Sequence, residues 1–308
     1  MVRYVARRLV YMLVALFIII SVTFFISKLL PGTPFADDKL TPHIRQQLFE
    51  KYGLDEPVTV QYVKYMANVA QGDLGNSFYF ESRPVTQMIL QRLPVSMFIG
   101  IQAVVFGLVV GMVLGIVAAL RHNTVWDTLA VVIAIIGVSV PTFVLGPLLQ
   151  YWLGLKLGLF PIAFFESYKY SVLPSLALSV FVVSTVARFI RTEMLEVMGQ
   201  DYVTLAKAKG LSGLAVILRH VLRNALIPLV TVMAPLTIYL ITGSLVVEQI
   251  FAVPGIGEQF VQSVVVNDYS MILGTTVFFS VLFIFALLIQ DILYGIIDPR
   301  IRIAGAKE

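Results

Sequence analysis

The sequence predicts an all-α integral membrane protein with six transmembrane helices, and three observations carry that prediction. Of its 308 residues, 58% are hydrophobic and only 13% are charged, whereas a soluble domain is about 25% charged. Six apolar runs each approach the roughly 20 residues that a helix needs to cross a hydrocarbon core. None of those runs alternates apolar with polar residues, as the strands of a membrane barrel do.

The opening MVRYVARR suits either a signal peptide or a first helix. The apolar stretch behind it runs from Leu9 to Leu30, longer than the usual 7–15 or so residues of a signal core, and no A-x-A site follows. It reads as a retained first span. Residues 31–93 form the largest polar piece. They hold LPGTPF, an amphipathic helix at Pro42–Tyr52, then GLDEPVTVQYVKYM and GDLGNSF. The turns are many and the charges nearly balance, which describes a solvated external cap rather than an independent domain.

The remaining 94–308 form a five-helix core. Its second span, Val95–Leu120, carries Gly107, Gly111 and Gly115 at a spacing that permits close helix approach. Packing within the chain and packing against another chain both fit that stripe. The third span is Leu129–Leu153. The fourth, Val172–Ile190, is the weakest, because Arg188 falls in its last turn. The fifth is Ala225–Val247 and the sixth Met271–Ile297. Pro141, Pro147, Pro174, Pro228 and Pro235 fall in or near these helices. Membrane helices tolerate proline, and it can loosen those that line a pathway.

Lys and Arg set the orientation. With both termini inside, the inner segments 1–8, 121–128, 188–224 and 298–308 hold 13 basic residues in 64 positions; the outer segments hold 8 in 106. That bias favours cytoplasmic N- and C-termini.

Composition also narrows the chemistry. The absence of cysteine removes disulfides, thiolate metal sites and a cysteine nucleophile. His43, His122 and His220 lie too far apart in sequence to show metal-ligand spacing. A net charge of +4 does not point to nucleic acid. The centres of spans two to five are free of ionisable residues, with only neutral Gln102 and Gln150, and Asp291 lies near the inner end of span six. Ion-coupled carriers usually keep buried carboxylates, so that class is disfavoured. A membrane enzyme is disfavoured too, because no Ser-His-Asp set, acid pair or H-E-x-x-H is present. No G-x-x-x-x-G-K-[ST] occurs, so the chain has no P-loop ATP site of its own. No cofactor is expected. A transport bundle of this kind draws its energy from a partner.

The stretch 188–224 is where a partner would engage. It reads as helix, turn, helix: Asp201 caps a short helix running to Lys209, Gly210 occupies the C′ position, and Ser212 caps the next helix. Lys207 and Lys209 sit at the negative end of the helix dipole. Ala206, Ala208 and Gly210 are small enough to lie close against another surface. An ordinary amphipathic linker between two spans fits the same residues.

At this loop the sequence resembles a known family. DYVTLAKAKGLSGLAVILRHVLRNALIP is similar to the coupling loop of permease subunits in dipeptide/oligopeptide ABC importers. LPGTP, YGLDEPVTVQY with GDLGNSF, RLPVSM, VPTFVLGPLL, GSLVVEQIFAVPGIGEQFVQSVVVNDYSMILG and the terminal DPRIR resemble the family in order along nearly the whole chain. The long segment after the first helix points to the B-type permease of the pair.

The general importer loop reads E-A-A-x3-G-x9-I-x-L-P. Here Thr204 stands in place of its glutamate, and His220 and Arg223 in place of Ile and Pro, so no glutamate contact is carried over. The resemblance implies the type I importer permease fold in a bacterial or archaeal inner membrane. It also implies a heterodimer with a second permease, two cytoplasmic ATPases that bind the ATP, an external substrate-binding protein, and a peptide or, in some branches, nickel or another small solute. Membrane lipid surrounds the assembly.

By the same resemblance, Asp201, Tyr202, Leu205, Ala206, Lys207, Ala208, Lys209, Gly210 and Leu211 couple to the ATPases. The loop 248–272, with Glu248, Pro254, Gly255, Glu258 and Asp268 and no basic residue, faces the binding protein. A simple helix connector is the other reading of that loop.

Overall fold

A computed structural model describes residues 2–30, 35, 41–80 and 82–297. The LPGTP motif, in large part, and the terminal DPRIR with the inner segment 298–308 lie outside the described residues. Those described are helical or irregular, with one isolated bridge between Asn76 and Pro84. The chain divides into two compact units, Met1–Pro94 with Pro254–Phe285 and Val95–Val253 with Ala286–Glu308.

The first unit begins with α1, Val2–Ser27. No glycine or proline interrupts it, and most of its surface is exposed apolar side chain, as a lipid-facing helix requires. Its buried corner, Ile20, Phe24 and Ser27, packs on the cap segment. There α2 (Pro42–Lys51) starts with Pro42 at its first position and Thr41 Oγ1 accepting from the Ile44 N–H, and α3 (Val58–Ala70) follows Pro57. Phe24 stacks on Tyr65 with ring centroids 5.6 Å apart, and the Ser21 and Tyr62 hydroxyls share a 2.6 Å hydrogen bond. Burial pushes the Tyr65 phenol above its ordinary pKa.

A small second core joins Val85, Met88 and Ile89, at the start of α4 (Val85–Leu120), to Ile256 and Met271. Gly274 has no side chain where Val85 seats, which permits that contact.

The second unit holds the main core. Along the rest of α4, the Gly107, Gly111, Gly115 stripe lies against α7 (Val172–Met198). A Cβ on Gly111 would sit 2.8 Å from the Val183 carbonyl oxygen, and one on Gly115 would sit 2.7 Å from that of Ala187. The stripe is therefore packing within the chain. Gly111→Val is expected to force the helices apart at a cost of about 1–3 kcal/mol, read as a lower melting temperature of the purified protein; an unchanged melting temperature would mean that the two helices do not pack this closely.

The third run is not one straight span. α5 (Val125–Ser139) ends where Pro141 forces Val140 into an extended conformation. The chain then turns 102° into the paired helices α6 (Thr142–Leu149) and the π-turn Gln150–Lys156. Among the described residues five helices are long and apolar enough to cross a membrane, and six if this bent pair counts as one span.

The fourth helix follows a 3-10 turn, Tyr168–Ser171, and α7 runs two turns beyond the expected Ile190. Arg188 does not end it: its Nε donates to the Ser184 carbonyl at 3.4 Å, and Arg191, a turn further on, finds a carboxylate partner. α8 (Asp201–Ala208) and α9 (Gly213–Val216) follow. The fifth helix starts earlier than its apolar run suggests. A π-turn, Ile217–Leu222, feeds directly into α10 (Arg223–Ile241), which keeps Pro228 and Pro235 inside it. Gly243, at φ +97°, breaks the chain before α11 (Leu245–Ile250). The expected outer loop is itself helical, as α12 (Ile256–Val265), before α13 (Tyr269–Ile297).

Candidate coupling surface and outer segment

The sequence of α8 dictates its ends. Gln200, in extended conformation, occupies the N-cap position, and Asp201 sits in the first helical turn rather than capping it. Its charge still complements the positive end of the helix dipole. At the other end the Gly210 N–H donates to the Lys207 carbonyl and the Leu211 N–H to that of Ala206. With Gly210 at φ +79°, these two bonds make a Schellman motif, which needs glycine at that place. Ser212 Oγ then accepts from the Ala215 N–H and starts α9.

The helix has two faces. Val203 and Ala206 are buried in the main core beside Val216 and Val221. Asp201, Tyr202, Leu205, Lys207, Ala208, Lys209, Gly210 and Leu211 are exposed, Leu205 by 55% and Tyr202 by 42%. Ala206 is therefore small because it packs against its own chain, and the outward surface is an apolar patch of Tyr202, Leu205 and Leu211 flanked by two lysines.

Ten residues before Asp201 lies a contact that the sequence pattern did not single out. Arg191 Nε donates to Asp127 Oδ1 at 2.6 Å, and Arg191 Nη2 to Oδ2 at 2.9 Å. The Asn123 N–H donates to the same Oδ2, and His122 Nδ1 lies 3.0 Å from it. Asp127 is 4% exposed. This bidentate pair ties the first turn of α5, and through the Asn123 N–H the turn after α4, to α7, and fixes the base from which α8 departs. The available signal was one acidic residue at the start of an uncharged run, matched by an arginine just past the end of another.

The acidic residues of 248–272 turn inward. Glu248, 2% exposed, accepts from Ser96 Oγ at 2.7 Å in the second unit. In the first unit, Glu258 pairs with Arg92 at 2.5 Å. Asp268 is fully buried and accepts from Ser77 Oγ, from the Phe78 N–H at 3.1 Å and from the Met271 N–H at 3.2 Å. Pro254 is exposed and Gly255 buried as the N-cap of α12. An exposed acidic rim does not form from these carboxylates. Among the described residues no group of three or more His, Cys, Asp or Glu has metal-site geometry.

Several apolar spans joined by an exposed, capped helix–turn–helix define a multi-pass membrane protein. The profile of the binding-protein-dependent transport system inner membrane component matches residues 111–303, and that of the corresponding N-terminal region matches residues 1–100. The chain belongs to this family.

It is 43% identical to the dipeptide transport system permease protein DppB of Lactococcus lactis, over 98% of this chain and 100% of that one. Identity to DppB of Bacillus subtilis is 41%, over 98% and 99%. To the oligopeptide transport system permease protein OppB of Escherichia coli K12 it is 36%, over 98% and 100%. A solved structure titled as inward-facing conformations of the MetNI methionine ABC transporter superposes with a TM-score of 0.55 at 15% identity, covering 69% of this chain and 97% of that one. That likeness concerns the fold.

Proposed function

We propose that this chain is the permease subunit of an ATP-driven importer of dipeptides or oligopeptides, and that it forms half of the pathway beside a second permease. The near full-length similarity to DppB and OppB proteins carries the reading. ATP binding and hydrolysis belong to two cytoplasmic ATPases, and an external binding protein delivers the substrate. Closure of the ATPases pushes on α8, and the motion passes back into α7 and, through α9 and the π-turn 217–222, on into α10. The face that receives the push is Tyr202, Leu205 and Leu211, with Lys207 and Lys209 reaching carboxylates or carbonyls on the partner.

Burying a leucine is worth about 1.5–3 kcal/mol, and each 1.4 kcal/mol or so is a factor of ten in affinity. Leu205→Asp is therefore expected to cut ATPase co-purification by roughly tenfold or more and to abolish uptake, while the permease still inserts and pairs. Ala206→Trp, which overfills the core, is expected to lower the yield of folded protein instead. Uptake by the reconstituted complex, screened over di-, tri- and longer peptides and nickel, reads the substrate class. Full ATPase binding and full uptake by Leu205→Asp would make this stretch a linker.

Both termini lie on the cytoplasmic side in this reading, which rests on the distribution of Lys and Arg. The chain has no native cysteine, so single cysteines report the topology. Tyr79, 57% exposed, suits the external side, because neighbouring Ser77 is fully buried. Gly213, with open space at its Cβ, suits the internal side. In intact cells an impermeant thiol reagent is expected to label Tyr79→Cys and not Gly213→Cys. The reverse pattern, or labelling of both, overturns the orientation.

A further inference from the structure

Where the helix re-enters the membrane, arginines lie beside leucines. Leu218, Leu222 and Leu226 recur at every fourth position and so share one face. Arg219 and Arg223 follow the first two of them, and both are exposed. With His220 these residues line a shallow open groove. The backbone there is the π-turn 217–222, and Asn224 Nδ2 donates to the His220 carbonyl at 2.6 Å, so the widened turn is held in shape. Wide turns of this kind recur at functional sites.

Charge and depth indicate what the groove holds. No acidic residue occurs between Asp201 and Glu248. Among the described residues neither guanidinium meets a carboxylate. The helical residues from Asn224 to the end of α10 at Ile241 carry no charge and span about 27 Å, close to the roughly 30 Å hydrocarbon core. Arg223 therefore stands within about a turn of the hydrocarbon edge and Arg219 about a turn further out, at the level of lipid phosphates. Guanidinium groups bind phosphate oxygens in bidentate fashion, and the leucines offer an acyl chain an apolar track beside them.

We infer that this groove binds an anionic glycerophospholipid, its phosphate on Arg219 and Arg223 and an acyl chain along Leu218, Leu222 and Leu226. In the orientation proposed above the lipid comes from the cytoplasmic leaflet, but the binding itself does not depend on that orientation. The full-length permease is placed in nanodiscs of phosphatidylcholine doped with phosphatidylglycerol, and the lipid retained after detergent extraction is quantified by mass spectrometry.

Wild type is expected to retain phosphatidylglycerol in excess over its share of the disc. Arg219→Gln with Arg223→Gln is expected to reduce that enrichment by roughly 25-fold, at about a factor of five per basic residue at a membrane surface. The paired Lys variant is expected to keep most of the enrichment, and Arg121→Gln, an exposed arginine elsewhere, all of it. Both groove arginines are exposed, so the melting temperature should not move. Full enrichment in the double Gln variant overturns the inference. So does displacement of the lipid by soluble glycerol phosphate, which would indicate a free-anion site. Unchanged lipid retention with loss of ATPase co-purification would make the groove a protein-docking surface instead.

Discussion

Asp127→Ala is expected to lower the stability of the purified permease by about 3 kcal/mol, near the lower end of the cost of breaking a buried ion pair. The lower end applies because the Arg191 side chain is 26% exposed and can recover some water, whereas the Asp127 side chain is only 6% exposed. The substitution removes both Arg191 hydrogen bonds and strands the Asn123 N–H. Arg191→Lys is expected to be costly as well, since an ammonium cannot reproduce the two-pronged geometry.

The function should suffer beyond the stability loss. Arg191 stands ten residues before α8, so a released base lets α8 shift when it is pushed, and uptake per ATP hydrolysed should fall. Asp127→Leu with Arg191→Met separates the two effects. It restores much of the stability, because replacing a buried pair by apolar groups is often neutral, yet leaves the turn after α4 without its directional tie. Thermal unfolding and the ratio of uptake to ATP hydrolysis are the measurements. A melting temperature unchanged in Asp127→Ala would mean that the pair holds nothing.

Asp268→Ala is expected to have a similar or larger effect, for a different reason. Asp268 is a hinge one residue long. Its N–H donates to the Ser263 carbonyl at 2.9 Å and closes α12, with Asn267 in the left-handed conformation at φ +55°. Its carboxylate then caps α13 through the Met271 N–H and holds the 77–78 turn through the Ser77 hydroxyl and the Phe78 N–H. Loss of the cap costs about 0.5–2 kcal/mol, and each buried donor left without a partner costs about 1–3 kcal/mol. With the Ser77 hydroxyl and the Phe78 N–H as the two donors, the terms sum to about 2.5–8 kcal/mol. Asp268→Asn retains an acceptor oxygen and should lose less.

The same experiment bears on the outer segment. If Asp268 met the binding protein directly, Asp268→Asn would reduce binding-protein-stimulated ATPase activity while the melting temperature held. The buried carboxylate leads us to expect the opposite: stability falls, and stimulation of the protein that remains folded is kept.

The sequence by itself determined the class. Apolar runs of spanning length leave a membrane helix as the economical structure, since every backbone N–H and C=O must be satisfied without water. It also determined the C-terminal end of α8 and the start of α9, because Gly210 and Ser212 act through their own backbone and nearest neighbours. The three glycine-dependent contacts of α4 were legible as a spacing, though only the tertiary structure decided that α7 of the same chain fills them.

What sequence spacing could not decide was direction and pairing. Ala206 and Ala208 read alike, yet the helix turns one into the core and the other outward, because Val203 and Ala206 share a face with the buried side of the next helix. Glu248, Glu258 and Asp268 read as an acidic loop, yet each meets a partner 152 to 191 positions away in the chain. Asp127 and Arg191, 64 positions apart, went unread for the same reason. A carboxylate's partner is set by which helices pack side by side, and that is a property of the folded core rather than of any one stretch of chain.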